Sequence, residues 1–192
     1  MAIPRSVHLA ASLSRLATLS VVLLVVNVVL SKSAGAQLFA SAQYGYEVSG
    51  HVGIQFPLAT FTSAAGASSP TTIADNFNVN FPFGFGVKPN WSPVLVDFEF
   101  VPEVHPNTRA TTFLVHPGFI MPLPDGWAVG VRGAYEVAQN SKGFTPLVSK
   151  GFPLGSNVRW FVEGDLPVRF TQLSNGASAT SVTFAIHTGL AF

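Results

Sequence analysis

The sequence contains no cysteine and very little charge. Without cysteine there is no disulfide, no thiolate metal site and no lipid-modified N-terminal cysteine. Lys, Arg, Asp and Glu together make up 10% of the 192 residues, whereas roughly a quarter is usual for soluble domains. Beyond residue 36, no apolar run approaches the ~18 residues of a membrane-spanning helix. These absences exclude a disulfide-stapled secreted domain and a helical membrane domain in that part of the chain.

Residues 1–36 have the pattern of a secretory signal peptide. Arg5 and Arg15 supply positive charge, residues 19–30 form an apolar core, and Ala34-Gly35-Ala36 gives a small-x-small cleavage pattern. We therefore predict cleavage before Gln37, with an uncleaved N-terminal anchor as the alternative. The mature chain, residues 37–192, has the length of one domain. It keeps seven basic residues against nine acidic ones, with no basic patch for nucleic acid.

Eight segments of the mature chain alternate between apolar residues and polar or small ones, which is the period of a β-strand. They lie at about 43–58, 77–88, 93–102, 110–122, 126–137, 144–154, 157–170 and 180–192. Tight turns are predicted at residues 89–92, 123–125 and 155–156, and longer polar loops at 59–76, 103–109, 138–143 and 171–179. Short turns at one rim and longer loops at the other are typical of outer-membrane β-barrels.

The last predicted strand, SVTFAIHTGLAF, carries the most specific signal. Phe184, Ile186, Leu190 and Phe192 lie on one stripe, and His187 lies on the other with Ala, Gly and Thr. This pattern resembles the C-terminal strand of Gram-negative outer-membrane β-barrels, which ends in an aromatic residue preceded by apolar residues at alternate positions. The resemblance implies that the barrel assembly machinery binds this strand, with those four residues as the assembly signal, and that the strand closes the barrel.

Over residues 37–192 the chain resembles the small outer-membrane β-barrels of the OmpA-domain, OmpX and OmpW type. We predict an all-β fold, an eight-stranded antiparallel up-and-down transmembrane β-barrel, located in the outer membrane and surrounded by its lipid. The oligomeric state is left open. The apolar stripe should face outward, because the many Phe, Tyr and Trp side chains would overfill a small barrel interior. The polar stripe is also too rich in Gly and Ala for a soluble surface.

Ionisable residues fall on the stripe that would then face the lumen. We expect them to form a core of ion pairs and hydrogen bonds, because buried charges are normally paired. A narrow polar channel is the alternative. The predicted lumen residues are Glu47, His51, Asp97, Glu99, His116, Arg132, Glu136, Arg159, Glu163, Asp165, Arg169 and His187.

The sequence indicates a non-enzymatic protein with a structural, surface-interaction or small-solute passage role. No ligand spacing specifies a metal, and no cofactor is expected. One alternative is a lipid A-modifying enzyme. A deacylase family of small barrels has a His-x-Ser pair, whereas here Gly118 follows His116 at that spacing and Gly189 follows His187. Another alternative is a secreted soluble β-barrel that binds an apolar ligand.

Several prolines fall inside the predicted strands, where each removes a donor from the hydrogen-bond ladder. They predict bulges, strand ends or strand boundaries shifted by a few residues. Five of them are Pro82, Pro117, Pro146, Pro153 and Pro167.

Overall fold

The protein is almost entirely β-sheet. The computed structural model describes residues 45–64, 67–105, 110–137, 140–173 and 175–192. The predicted signal peptide, residues 1–36, lies outside this part of the chain and stays a prediction. Among the described residues, no helix combines the length and the apolar character needed to cross a bilayer.

Eleven β-strands make up the described sheet. They are β1 (Tyr46–Ala64), β2 (Ala67–Thr72), β3 (Val79–Asn80), β4 (Phe83–Pro89), β5 (Leu95–His105), β6 (Ala110–Pro122), β7 (Trp127–Glu136), β8 (Ser141–Pro153), β9 (Arg159–Asp165), β10 (Val168–Gln172) and β11 (Ser178–Ala191). Two of the predicted strands are each divided in two, as β3 with β4 and as β9 with β10. Strand β2 is an extra strand that the sequence did not predict.

The strands join into a closed ring with eight antiparallel walls. β1 pairs with β3 and β4, both of these pair with β5, and β5 to β8 pair in sequence order. β8 pairs with β9 and β10, and both pair with β11. β11 returns to β1, with pairs from His51–Ala191 to Ala64–Ala179. The predicted eight-stranded antiparallel up-and-down barrel is therefore confirmed.

Alternation along each strand separates an apolar outer surface from a polar lumen. On β6, Phe119 and Met121 point outward with 60% and 41% of their surface exposed, whereas Leu114 and His116 point inward and are buried. Across the described chain, the buried polar and charged side chains outnumber the buried aliphatic and aromatic ones. This distribution is the reverse of a soluble protein, in which the large apolar residues fill the interior.

The three predicted tight turns lie together at one rim. Ser92 N donates to Pro89 O at 3.0 Å, and Leu123 N donates to Trp127 O at 2.8 Å. The second turn contains a one-turn 3₁₀ helix at Pro124–Gly126. Its Asp125 has φ 59° and Gly126 has φ 77°, a left-handed conformation that Asp tolerates and Gly adopts freely.

At the opposite rim the strands run further than the sequence predicts. β1 continues to Ala64, and residues 59–64 pair with β2 in a hairpin where a loop was predicted. β5 likewise reaches His105 and β8 begins at Ser141. The predicted loop boundaries were wrong because Ser and Thr backbones pair as well as apolar ones do. Polarity marks the edge of the apolar belt, whereas the ladder of hydrogen bonds continues past it.

A polar turn leads from β2 toward β3. Asp75 Oδ2 accepts hydrogen bonds from the backbone N and the side-chain Oγ1 of Thr72, each at 2.8 Å. Both bonds favour the ionised carboxylate, so they lower the pKa of Asp75 from its usual value. The turn is therefore held by a charged residue at neutral pH.

Two of the five prolines break their walls. Pro82 lies between β3 and β4, and Pro167 lies between β9 and β10. Each lacks a donor but keeps its acceptor, because Gly53 N donates to Pro82 O and Thr183 N donates to Pro167 O, both at 2.8 Å. The other three lie within strands: Pro117 in β6, and Pro146 and Pro153 in β8.

Aromatic side chains cover the outer surface. Phe83 stacks on Phe100 at 5.6 Å and Phe85 on Phe98 at 5.5 Å between ring centroids, across the pairing of β4 with β5. Such cross-strand aromatic pairs contribute to sheet stability. At the tight-turn rim Trp91 is 86% exposed.

Lys150 also lies on the outside of the barrel. It pairs with Trp127 across the sheet, and its Nζ lies 5.0 Å from the centroid of the Trp127 ring. The same Nζ donates to Asp125 O at 2.5 Å. Lys150 is therefore anchored at the tight-turn rim and directed toward the turn.

Candidate functional site in the lumen

Charged side chains from six walls meet inside the barrel. We call this group the lumen cluster; it consists of His51, Asp97, Glu99, His116, Arg132, Glu163 and His187. Strand alternation turns all seven inward, and all except His51 have 5% or less of their surface exposed. Charges buried this deeply need partners, because burying an unpaired charge costs several kcal/mol.

Arg132 is the centre of the cluster. Its Nε donates to Asp97 Oδ2 at 2.7 Å, and its Nη1 donates to Glu163 Oε1 at 2.7 Å. Nη1 also lies 3.4 Å from Glu99 Oε2. One guanidinium on β7 thus joins carboxylates from β5 and β9, on opposite sides of its own wall in the ring. Its planar fork of donors suits such multiple recognition.

Three histidines complete the shell around the carboxylates. His116 Nδ1 lies 3.0 Å from Glu99 Oε1, and His51 Nε2 lies 3.3 Å from Glu99 Oε2. His187 Nδ1 lies 3.2 Å from Glu163 Oε1. Each of the two glutamates is therefore held by Arg132 and at least one imidazole.

Arg169 fixes the tautomer of one of these histidines. Its Nη2 lies 3.1 Å from His116 Nε2, and its Nη1 donates to Thr145 Oγ1 at 3.1 Å. Since a guanidinium can only donate, His116 Nε2 must accept. The proton of a neutral His116 then lies on Nδ1 and is donated to Glu99.

A second polar chain lies beside the cluster. Gln55 Nε2 donates to Asp165 Oδ2 at 2.6 Å, and Asn80 Nδ2 donates to Gln55 Oε1 at 2.8 Å. Asn80 Nδ2 also donates to Glu103 Oε1 at 3.3 Å, and Thr112 Oγ1 donates to Glu103 Oε2 at 2.9 Å. Gln55, Asn80 and Asp165 come from β1, β3 and β9. These hydrogen bonds therefore join walls on both sides of the β1–β11 pairing.

Glycines on neighbouring strands make room for the large inward side chains. A Cβ at Gly53 would lie 2.5 Å from His187 Nε2, and one at Gly84 would lie 2.6 Å from His51 Cε1. A Cβ at Gly84 would also lie 2.4 Å from Phe98 O, so the backbones of β4 and β5 approach closely there. The small residues of the inward stripe are thus part of the packing of the cluster.

The lumen cluster contains candidate metal ligands, but Arg132 already contacts the carboxylates among them. Glu99, Glu163 and His187 offer ligand atoms that all lie within 4.8 Å of one another. The Arg132 Nη1 atom is already 3.4 Å and 2.7 Å from the two glutamate oxygens. The guanidinium therefore supplies the positive charge that a metal would bring, and the residues present do not require one.

The half of the lumen nearer the long-loop rim contains a cavity of about 180 Å³, which we call the outer cavity. It lies on the long-loop side of the lumen cluster, and residues of seven walls line it. The lining residues include Gln55, Asn78, Asn80, Glu103, His105, Leu114, Glu136, Arg169 and Ala185.

The structure does not bring all twelve predicted lumen residues together. Seven of them form the lumen cluster, Asp165 lies beside it, and Arg169 contacts it through His116. Glu136 lines the outer cavity instead. Glu47 and Arg159 lie at the tight-turn rim, where Glu47 pairs with Lys88 at 3.2 Å and Arg159 is exposed.

Sequence reasoning missed several inward residues. Gln55 and Asn80 were on the correct stripe but carry no charge, so they did not enter a set of ionisable residues. Glu103 was assigned to a loop because the end of β5 was placed too early. Phe161 is buried beside His187, with ring centroids 4.8 Å apart, and only strict counting along β9 could have found it.

The four residues of the predicted assembly signal face outward, three of them on β11 and Phe192 directly after it. Phe184 and Phe192 are 47% and 46% exposed, and Ile186 and Leu190 lie between them on the same face. β11 pairs with β1 along its length. The outward stripe of the closing strand is therefore apolar except at Thr188.

The class of fold that these features define is an eight-stranded antiparallel β-barrel with an apolar exterior and a packed, charged lumen. No protein-family model matches the chain. No curated protein matches it either. Among solved structures, Neisserial surface protein A is similar, with 10% identity, 74% of this chain and 97% of that chain covered and a TM-score of 0.47. A de novo designed transmembrane β-barrel has 12% identity, coverage of 71% and 94% respectively, and a TM-score of 0.35.

Proposed function

We propose that this chain is an integral outer-membrane protein, a closed barrel that crosses the bilayer without conducting solutes and acts through its exposed rims. The observation that carries the proposal is the inversion of polarity across the wall. Large apolar side chains such as Phe119, 60% exposed, cover the outside, while Arg132 and its carboxylates are buried.

A bilayer is the environment that suits this exterior. Soluble monomers rarely expose more than a few hundred Å² of continuous apolar surface. A closed ring also satisfies the backbone groups that hydrocarbon cannot satisfy. Strand β1 has 19 residues, about twice the 9–11 that cross a bilayer, so its hairpin with β2 would project into water on the long-loop side.

The buried cluster supports a closed lumen. In an eight-stranded barrel, side chains fill the interior. Here Asp97, Glu99, Glu163 and His187 are 1–4% exposed and joined through Arg132 or directly to one another. Passage of an ion or solute would require these ion pairs to separate.

The two other functions have less support. A lipid-modifying enzyme would need its base within reach of the outer leaflet, whereas His116 and His187 are buried inside the lumen and bonded to glutamates. A soluble carrier of apolar ligands would need an apolar interior, whereas the cavity is lined by Glu103, Glu136 and Arg169 among its polar residues. The buried histidines therefore do not suit a lipid-modifying enzyme, and the polar lining of the cavity does not suit a carrier of apolar ligands.

The test is cell fractionation followed by conductance measurement. We expect the mature protein in the outer-membrane fraction, with faster gel migration before boiling than after it, and no steady unitary conductance in planar bilayers. Recovery as a soluble periplasmic protein would overturn the membrane assignment. A steady ohmic conductance of the wild type would overturn the closed lumen and leave the membrane assignment standing.

A further inference from the structure

The outer cavity is a dead end. Its floor includes Gln55, Asn80, Leu114 and Ala185, which are 6%, 3%, 2% and 0% exposed. Below this floor, Gln55 is hydrogen-bonded to Asp165 and the lumen cluster fills the barrel. The cavity can therefore hold a molecule but cannot pass it on, which is the geometry of a binding site.

Most polar groups that line the cavity already have partners. Thr60 and Thr183 bond each other at 3.0 Å, and Asn78 Oδ1 lies 3.0 Å from His105 Nδ1. The Glu103 carboxylate accepts from Asn80 and Thr112. These groups form a preformed frame, so they would need no rearrangement to receive a ligand.

Glu136 is the exception. It is partly buried at the end of β7 and lines the cavity, and its carboxylate has neither a hydrogen bond nor an ion pair within 4.0 Å among the described residues. Arg169 lines the same cavity, but its Nη atoms are directed to Thr145 and His116. Arg169 still attracts the Glu136 carboxylate electrostatically. The two lining glutamates, Glu103 and Glu136, nevertheless outnumber this one arginine, so the cavity favours a cationic ligand.

We propose that the outer cavity binds a small organic amine, with its ammonium group at Glu136 and Glu103 on the same side. A volume of about 180 Å³ is somewhat larger than the engineered 150 Å³ cavity that admits benzene, so it suits a ligand of a few heavy atoms. The second carboxylate disfavours an anion. A divalent metal would need about six converging oxygens, whereas the Glu103 carboxylate already accepts hydrogen bonds from Asn80 and Thr112.

This inference adds a ligand class to the rim function proposed above and depends on that proposal only for the side from which the ligand enters. The test uses the mature barrel refolded in detergent micelles. 1,4-Diaminobutane is titrated by isothermal calorimetry, with 1,4-butanediol and succinate as the uncharged and anionic probes. We expect saturable one-site binding of the diamine alone.

Two variants assign the binding to the cavity. Glu136→Gln should weaken diamine binding at least tenfold, because it removes the charge and keeps the side-chain shape. Glu47→Gln, at the opposite rim, should bind as the wild type does. The heat-dependent gel shift of each variant reports the closed barrel independently.

Three outcomes would overturn the inference: no saturable diamine binding, equal binding by Glu136→Gln, or tighter binding of succinate than of the diamine. If the gel shift is retained in such a case, the proposed function still stands. Loss of the gel shift in the wild type would instead contradict the closed barrel itself.

Discussion

Phe192 is clamped to Gly50 across the pairing of the closing strand with the first strand. Gly50 N donates to Phe192 O at 2.7 Å, and Phe192 N donates to Gly50 O at 2.9 Å. The phenyl ring lies over the glycine, since a Cβ at Gly50 would be 2.6 Å from Phe192 Cε2. The ring therefore covers a position that no larger residue could occupy without displacing it.

Replacing this ring should impair barrel assembly. We expect Phe192→Ala to lower the amount of protein recovered in the outer membrane several-fold, because the closing pair loses its terminal packing. The control is Phe119→Ala, which removes another outward phenyl ring, 60% exposed on β6. Equal outer-membrane levels of the two variants, measured by immunoblot of membrane fractions, would refute a special role for Phe192.

Removing the central cation of the lumen should cost more stability than removing one at the rim. Arg132→Met leaves Asp97, Glu99 and Glu163 buried beside an apolar side chain, so we expect a loss of about 3–5 kcal/mol. Arg159→Met changes an exposed residue at the tight-turn rim and should stay within about 0.5 kcal/mol.

Urea unfolding of the refolded barrel in lipid vesicles measures both changes. Adding Glu163→Gln to Arg132→Met should recover part of the loss, because one buried negative charge is removed. Identical unfolding midpoints for the two arginine variants would mean that the lumen cluster does not stabilise the barrel.

A methyl group added to the inward face of β1 should be destabilising. In Gly53→Ala the new Cβ would lie 2.5 Å from both His187 Nε2 and Thr188 O. Because one of these atoms is backbone, we expect a cost of about 1–3 kcal/mol. Gly164→Ala, on the outward face of another wall, is the control, because the nearest atom to the new Cβ is Val148 Cγ1 at 3.7 Å. Chemical unfolding that ranks the two variants equally would contradict this packing.

The tryptophans should report the depth of the barrel in the bilayer. Trp91, in a tight turn, is 86% exposed, and Trp127, beside Lys150, is 47% exposed. Tryptophan and lysine favour the membrane interface. We therefore expect single-tryptophan variants to be quenched by lipids brominated near the headgroup more than by lipids brominated near the chain end. Quenching by aqueous iodide alone would argue against insertion.

The sequence alone predicted the strands of the barrel wall, but not where these strands end at the long-loop rim. The alternation that placed Phe119 outward and His116 inward comes directly from the two-residue period of a strand, so most side-chain directions were predictable. The extent of β1 was not, because beyond residue 58 its backbone pairs with β11, which is distant in the sequence, as well as with the adjacent β2.

The sequence predicted which residues belong to the lumen cluster, but not which of them contact one another. Inward charges were identified by parity, yet which carboxylate meets Arg132 depends on the stagger of the closed ring. Glu163 is 31 residues from Arg132 along the chain, and Asp97 is 35 residues away. Neither local pattern nor composition contains that stagger, because it results from the closure of all eight walls.

The positions of the prolines indicate where the hydrogen bonding of the barrel wall opens first. The breaks at Pro82 and Pro167 lie in the two walls that flank β1 and β11, and β1 itself shifts register between Pro57 and Ala59. The wall breaks and the register shift are thus concentrated around the pair that joins the two ends of the barrel. On the far side, β5 to β8 pair without a register shift, and only the β6–β7 ladder has a gap, at His116 and Pro117. We therefore expect local opening of the barrel to be uneven. Amide protons should exchange first along the pairing of β1 with β11 and last in β5 to β8, on the opposite side of the barrel.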